Sequence, residues 1–365
     1  MGQKQVCVGV VGAGVISDIY LKNMINRFDN LSVKSICAAH LKSAQKKAKE
    51  YGIQAVTMEE MLDDPEIRMI VNLTPAHIHY SVIRAALEHG KHVYTEKTLT
   101  DDINKSEEVV RLANEKGLYL GSAPDTFMGA ALQTARSAID SGMLGEIHSF
   151  AVSANRNNDI LLSLFDFLRK PGGGIVCDYA VYYVTALVSL LGPAARVGSI
   201  VGYPYPTHVN CVPGTPLYGQ TMDTPNESQV NAVLQFENGV TGTFHIDADS
   251  VMEDQAYFTI YGTKGILMLT DPNQFGGQVR FLQNTPNPEE RQEASVLQSV
   301  NEYSDNSRGI GPADLADTIL NGTPLRPSAE MAYHVHEVLN AMLEGGTSGG
   351  FTDIRSSCVR PEPLR

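Results

Sequence analysis

Three side chains in this 365-residue chain can move or hold a proton in a pattern worth following: Lys97, Asp178 and Tyr182. Lys97 stands in the stretch YTEKT, just past an apolar run that reads as a strand. An ammonium in that place can hydrogen-bond a reacting oxygen and ease its deprotonation. Asp178 and Tyr182 are four residues apart in a stretch that reads as helix, so they share a face. A free phenol has a pKa of about 10 and is a poor base at neutral pH, but a cation such as Lys97 would favour the phenolate. Either Tyr182 or Lys97 is then the proton acceptor, with Asp178 orienting a hydroxyl. The ordinary alternatives are a surface lysine, a capping aspartate and a packed tyrosine.

A second group of residues has the form of a phosphate site. VCVGVVGAGVIS places Gly12 and Gly14 in a G-x-G-x-x-G frame whose third glycine is Ser17. An apolar run precedes it and a helical stretch follows. Gly12 permits a tight turn, Gly14 lets a pyrophosphate come close to the backbone, and the helix beginning at Val15 and Ile16 offers free N–H groups and its positive end. The acid that would hold an adenosine ribose belongs about 20 residues further on. Ala38 and Ala39 stand there instead, followed by His40, Lys42, Lys46 and Lys47. The lysines would tolerate a 2′-phosphate or simply lie in solvent. The cofactor is therefore read as NAD, since no dedicated phosphate pocket is visible, with NADP left open.

These residues need a scaffold, and the pattern of apolar runs supplies one. Strand-like and helix-like stretches alternate from Val6 to Ser122. Such alternation predicts a parallel sheet covered on both faces. After residue 123 the pattern changes. A long helix is expected over Ile175–Leu191, opened by the glycines of PGGG, which would let substrate approach the backbone. Strand-like runs at 197–202, 229–236, 241–246, 256–261 and 266–269 predict an antiparallel meander, and Pro204–Pro225, with five prolines, predicts a loop. The fold class is α/β: an N-terminal Rossmann domain over residues 1–123, then an α+β domain over 124–365 with a large, open, mostly antiparallel sheet.

Composition narrows the partners. A net charge of −13 disfavours a non-specific nucleic-acid binder. No apolar run is long enough to span a bilayer, and the N-terminus MGQKQVCVGVV lacks a signal-peptide design. Five scattered cysteines without a C-x-x-C spacing support neither a disulfide framework nor a zinc site, so a reducing cytoplasm is the simplest location. His77 and His79, like His334 and His336, are two apart rather than four, and no metal is expected.

Three further stretches carry a family resemblance: NLTPAHIHY (72–80), HGKHVYTEKTL (89–99) and PGGGIVCDYAVYY (171–183). With the glycine loop, they resemble the glucose–fructose oxidoreductase, inositol dehydrogenase and rhizopine-catabolism family. The resemblance implies that Thr74, Pro75, His79, Glu96 and Lys97 serve the cofactor, and that Lys97, Asp178 and Tyr182 act on substrate. It also implies oxidation of a sugar or polyol by a pyridine nucleotide, in a homo-oligomer. Thr98 departs from the family's proline, which would remove a cis X–Pro bond. Ala180 replaces a glycine, Tyr182 the usual histidine, and PDTF (124–127) stands where an arginine is common. The nearest branch handles glycosides, some members oxidising the C3 hydroxyl of a glucosyl unit, including one carbon-linked to its aglycone. Asn155, Arg156 and His245 are further candidates for sugar hydroxyls; Asn155 and Arg156 could equally lie in a solvated loop, and His245 at a subunit interface. Alternatives are a hydrolase that works by oxidation and elimination, an inositol or sugar dehydrogenase, and a non-catalytic sugar sensor.

Overall fold

A computed structural model describes residues 4–251, 256–290, 292–348 and 350–364. The first three residues of the N-terminal stretch therefore lie outside the described residues. In chain order the elements begin with β1 (Val6–Val11), α1 (Ile16–Asn26), β2 (Leu31–Cys37), α2 (Leu41–Tyr51), β3 (Gln54–Ala55) and α3 (Met58–Asp63). They continue with β4 (Met69–Asn72), α4 (Ala76–Glu88), β5 (His92–Thr95), α5 (Ile103–Lys116) and β6 (Leu120–Ser122). Next come α6 (Ala130–Asp140), β7 (Ile147–Asn155), α7 (Asn158–Leu164), a π-helical turn (Val176–Ala180) running into α8 (Val181–Leu191), and β8 (Ala194–Gly202). Then follow β9 (Thr207–Val209), β10 (Thr221–Asp223), β11 (Gln229–Phe236), β12 (Thr241–Asp247), β13 (Ala256–Gly262) and β14 (Gly265–Leu269). The last are β15 (Arg280–Gln283), β16 (Ser295–Val296), α9 (Ile310–Asn321), α10 (Ala329–Ser348) and β17 (Phe351–Asp353).

The chain forms two compact units, residues 1–125 with 306–333, and residues 126–305 with 334–365. A linear division at 123/124 assigns 306–333 to the second domain, but in space this segment packs with the first. The reason is tertiary: the buried carboxylate of Asp125 accepts from the backbone N–H of Gly309 (3.3 Å) and Gly311 (3.1 Å). Gly311 also lies against Tyr94, whose hydroxyl would be 2.3 Å from a β-carbon there.

Among the described residues, the first unit holds a parallel sheet in the order β3-β2-β1-β4-β5-β6. β4 is buried at every residue and β1 at all but one, as strands covered on both faces must be. Local signals set the helix ends. Asp102 caps α5 by accepting from the N–H of Asn104 and Lys105, and Gly117 closes it at φ 64°. Thr57 and Glu60 form a reciprocal capping box on α3.

The second unit holds the sheet β16-β15-β14-β13-β7-β12-β11-β8-β17. The expected meander is interrupted at one point, because β7 lies between β12 and β13 and runs parallel to β12, while all other neighbours are antiparallel. Every residue of α8 is buried, which fits a helix apolar on all sides. Its Tyr183 meets Phe244 of β12 edge-on, with centroids 6.1 Å apart. The proline-rich stretch contains the β9–β10 hairpin rather than loop alone.

Candidate functional site

In the first unit, strand order reverses between β1 and β4, which opens a crevice at their carboxyl ends. Gly12 makes the turn there at φ 111°, and a β-carbon on it would stand 2.7 Å from the Leu73 carbonyl oxygen. Gly14 is different, since a β-carbon would have nothing within 4 Å. Val15 is 85% exposed, and α1 begins without a side-chain cap. Ser17 is fully buried and donates to the Gly14 carbonyl at 2.6 Å, so it replaces the third glycine by tying the turn to the helix. An open glycine beside an uncapped helix start fits a pyrophosphate. Ala38 is half-buried and His40 exposed at the end of β2, with no carboxylate between them. Lys47, one of the three candidate phosphate lysines, is paired with Asp18 instead, which holds that carboxyl below its ordinary range.

The ends of β4 and β5 are cross-tied. Asn72 donates to the Thr95 hydroxyl and accepts from both the N–H and the hydroxyl of Thr74. His79, fully buried, lies between the carbonyls of Thr98 and Thr74, each at 2.7 Å, while Pro75 precedes α4. Burial lowers the pKa of that imidazole, and the two carbonyls oppose the shift. His79 thus shapes the loop rather than offering a metal ligand. Glu96 accepts from the buried Tyr20 hydroxyl at 2.7 Å and from the Lys97 N–H at 3.1 Å, which fixes the backbone that carries the half-buried Lys97. The Lys97–Thr98 peptide is cis although residue 98 is not proline, which corrects the expectation of its loss. Thr98 is held there by its hydroxyl, which donates to Thr100 O at 2.7 Å.

Burial pushes Asp125, in PDTF, up to about 6, with Arg308 opposing and Glu96 reinforcing the shift. The folded chain then binds more protons than the unfolded one between pH 4 and 6, so this group's contribution to stability falls as pH rises through that window. Asp125→Asn should remove the dependence. The stability difference between variant and wild type should move in the variant's favour by on the order of 3 kcal/mol from pH 4 to pH 7. Urea melts at both pH values check it; a constant difference would refute it.

In the second unit, a cleft opens at the start of the helix. Asn158, Gly174, Asp178, Thr224, Asn226 and Glu227 are among its lining residues. The turn that carries Asp178 is π-helical, a feature frequent at functional sites, where a continuous α-helix was expected. Tyr182 is 9% exposed, its ring 6.5 Å from Tyr179. The glycine cluster is not open ground for substrate: a β-carbon at Gly173 would stand 2.4 Å from Phe167 O, and one at Gly174 about 2.1 Å from the Glu227 carboxylate. Protein atoms already fill both approaches.

The remaining candidates separate. Arg156 stacks on the Tyr179 ring at 4.7 Å, and Tyr179 donates to Asp271 at 2.9 Å. Asn155 donates to the Ser250 hydroxyl at 3.0 Å. His245 is brought elsewhere. Its neighbour Phe244 packs on α8, so strand alternation turns His245 to the opposite face of the sheet, where it bonds Asn231 at 2.8 Å. It does not share a face with the helix of Asp178 and Tyr182. Sequence reasoning missed Glu227, Asn226 and Thr224. A backbone bond from Ile175 N–H to Glu227 O, at 3.1 Å, and one from Val176 N–H to the Glu227 carboxylate, at 3.0 Å, bring that segment to the helix start. Among the described residues there is no cluster of three or more metal-ligating side chains, and no helix is long and apolar enough to cross a membrane.

Comparison with known proteins agrees with this geometry. The profile described as "Oxidoreductase family, NAD-binding Rossmann fold" matches residues 6–123, and that of the GFO/IDH/MocA C-terminal domain matches 132–268. An uncharacterized oxidoreductase of Escherichia coli, YhhX, is 30% identical over 182 residues, 47% of this chain and 50% of the relative. The chain thus spans about half the length of the first curated relatives it matches. Bovine trans-1,2-dihydrobenzene-1,2-diol dehydrogenase is 25% identical over 72% of this chain and 74% of its own. A levoglucosan dehydrogenase solved with NADH and L-sorbose shares the fold at TM-score 0.84 and 18% identity, covering 96% of this chain and 99% of its own.

Proposed function

Because the chain belongs to the Gfo/Idh/MocA oxidoreductase family, with an NAD-binding Rossmann fold as its first part, we propose that it oxidises a secondary hydroxyl of a sugar or glycoside to a ketone. The glucosyl C3 hydroxyl is the reading's finer target, with C-glycosides among its substrates. The observation that carries it is the unobstructed Gly14 beside the uncapped start of α1, at the reversal of strand order. Bound NAD would accept the hydride. Gly12, Gly14, Val15 and Ile16 would hold its pyrophosphate, and the paired Lys47 and the lack of an arginine favour NAD over NADP. Relatives and structural neighbours that are named as dehydrogenases, one of them solved with NADH and a sugar, support a small polyhydroxylated substrate.

In this reading Lys97 donates a hydrogen bond to the reacting oxygen, Asp178 orients the hydroxyl, and Tyr182 or Lys97 takes the proton. The cleft sets Asn158 and Asp178 beside Leu161, Leu162, Leu168 and Ile175, which suits the mixed polar and apolar faces of a sugar, while the Asn226 amide is tied to the Leu168 and Lys170 carbonyls. The reading includes a homo-oligomer. The sheet face that bears His245 exposes Val233 and, on β8, Ile200 at 69%, which light scattering of the native protein tests. It also includes a reducing, cytoplasmic setting, which the five cysteines, none in a disulfide, support. Mass spectrometry after incubation with NAD and a panel of O- and C-glucosides tests the activity. Loss of two hydrogens with the glycosidic bond intact is expected. Free aglycone would favour oxidation with elimination, and no change in any sugar would sink the dehydrogenase.

A further inference from the structure

Glu227 is a buried carboxyl group for which the fold alone has half a use. It is 8% exposed, yet it lies in the lining of the cleft that holds Asp178. One oxygen, Oε1, accepts from the Val176 N–H at 3.0 Å, at the start of the turn that carries Asp178. The group's other hydrogen bond comes from its own backbone N–H, and among the described residues no other residue donates to the second oxygen, Oε2. Burial raises the pKa of the group; among the described residues only backbone N–H groups oppose this, and no cation does. A carboxylate taken out of water without a cation is costly unless other donors reach it. The carboxylate fills the space that a β-carbon on Gly174 would take, with both oxygens about 2.1–2.2 Å from that position, so only glycine fits beside it, and the Val176 N–H fixes its Oε1. A carboxylate with one oxygen claimed by no other residue, on a cleft that sets amide, hydroxyl and carboxylate groups among Leu161, Leu162, Leu168 and Ile175, matches the hydroxyl of a polyol.

We propose that Glu227 is a specificity-determining residue whose Oε2 accepts a hydrogen bond from a sugar hydroxyl other than the one oxidised. The inference rests on the reading that this cleft takes the substrate. A purely structural cap is the competing role, and Glu227→Gln separates the two. Its amide oxygen still accepts from Val176, while its NH2 replaces Oε2 and can only donate. Steady-state kinetics on a sugar and its monodeoxy analogues would then show KM raised about 10- to 100-fold, as for a lost hydrogen bond to a charged group, with a smaller fall in kcat. The wild type should discriminate strongly against one analogue, and the variant should not. Glu227→Ala, which loses the cap as well, should in addition lower Tm. If Glu227→Gln leaves both KM and the discrimination unchanged in an enzyme that oxidises the parent sugar, Glu227 is a cap only and the inference fails alone. If saturation-transfer NMR and kinetics find no sugar bound or oxidised by the wild type, the inference falls with the reading beneath it.

Discussion

Replacing Lys97 by methionine should lower the turnover number by about 10³-fold while leaving NADH affinity within a few-fold. The reasoning is local. Lys97 follows β5 at the carboxyl edge of a parallel sheet, and its backbone N–H is fixed by Glu96, itself fixed by Tyr20. Methionine keeps the length of the stem and removes only the donor. In the proposed role of Lys97, a proton leaving the hydroxyl would then have no cation beside it, and the charge that builds on oxygen would be unmatched. Tyr182→Phe divides the remaining question. If the phenol is the base, it loses a comparable factor; if Lys97 is, turnover is nearly unchanged. Single-turnover absorbance at 340 nm reads the oxidation, and fluorescence titration of NADH reads the cofactor. Wild-type turnover in Lys97→Met would remove the lysine from the chemistry.

Gly12→Ala and Gly14→Ala, two changes of one methyl group in one turn, should have opposite signatures. At Gly12 the backbone has φ 111° and a β-carbon meets Leu73 O at 2.7 Å. The variant is strained by on the order of 3 kcal/mol and should melt about 5–10 °C lower. At Gly14 the space is empty, so the methyl is free to enter and Tm should stay within about 2 °C. What it obstructs is the approach of the pyrophosphate, and NADH affinity should fall about 10- to 100-fold. Thermal melts and a binding titration on the two purified variants decide it. Unaltered NADH affinity in Gly14→Ala would mean that the cofactor does not pass over this glycine.

The first unit was largely legible in the sequence because its signals are local. Continuous apolar runs, glycine stops after α2 and α5, and the strand–turn–helix around Gly12 each act within a few residues. Parallel strands buried on both faces leave an unmixed pattern. The short β3 and α3 escaped, being too brief to show a period. In the second unit, helix and strand positions were again readable, but the parallel pairing of β7 with β12 was not, because pairing direction leaves no mark in either strand. The π-helical turn at Val176–Ala180 has no sequence signature.

The site divides along the same line. The residue types and their order determined, without coordinates, a Rossmann glycine turn, a lysine at a strand end, and an aspartate and a tyrosine on one helix. Side-chain chemistry and periodicity are properties of the chain itself. What only the tertiary structure decided is which atoms already have partners. It filled Gly173 and Gly174 with protein, turned His245 to the far face of its sheet, committed Lys47 to Asp18, and set Glu227 against the helix start. It also returned 306–333 to the first unit through Asp125. Each of these is a contact between segments distant in sequence. Packing selects such contacts by shape and by the need to satisfy buried polar groups, and neither is written in the spacing of residues along one segment.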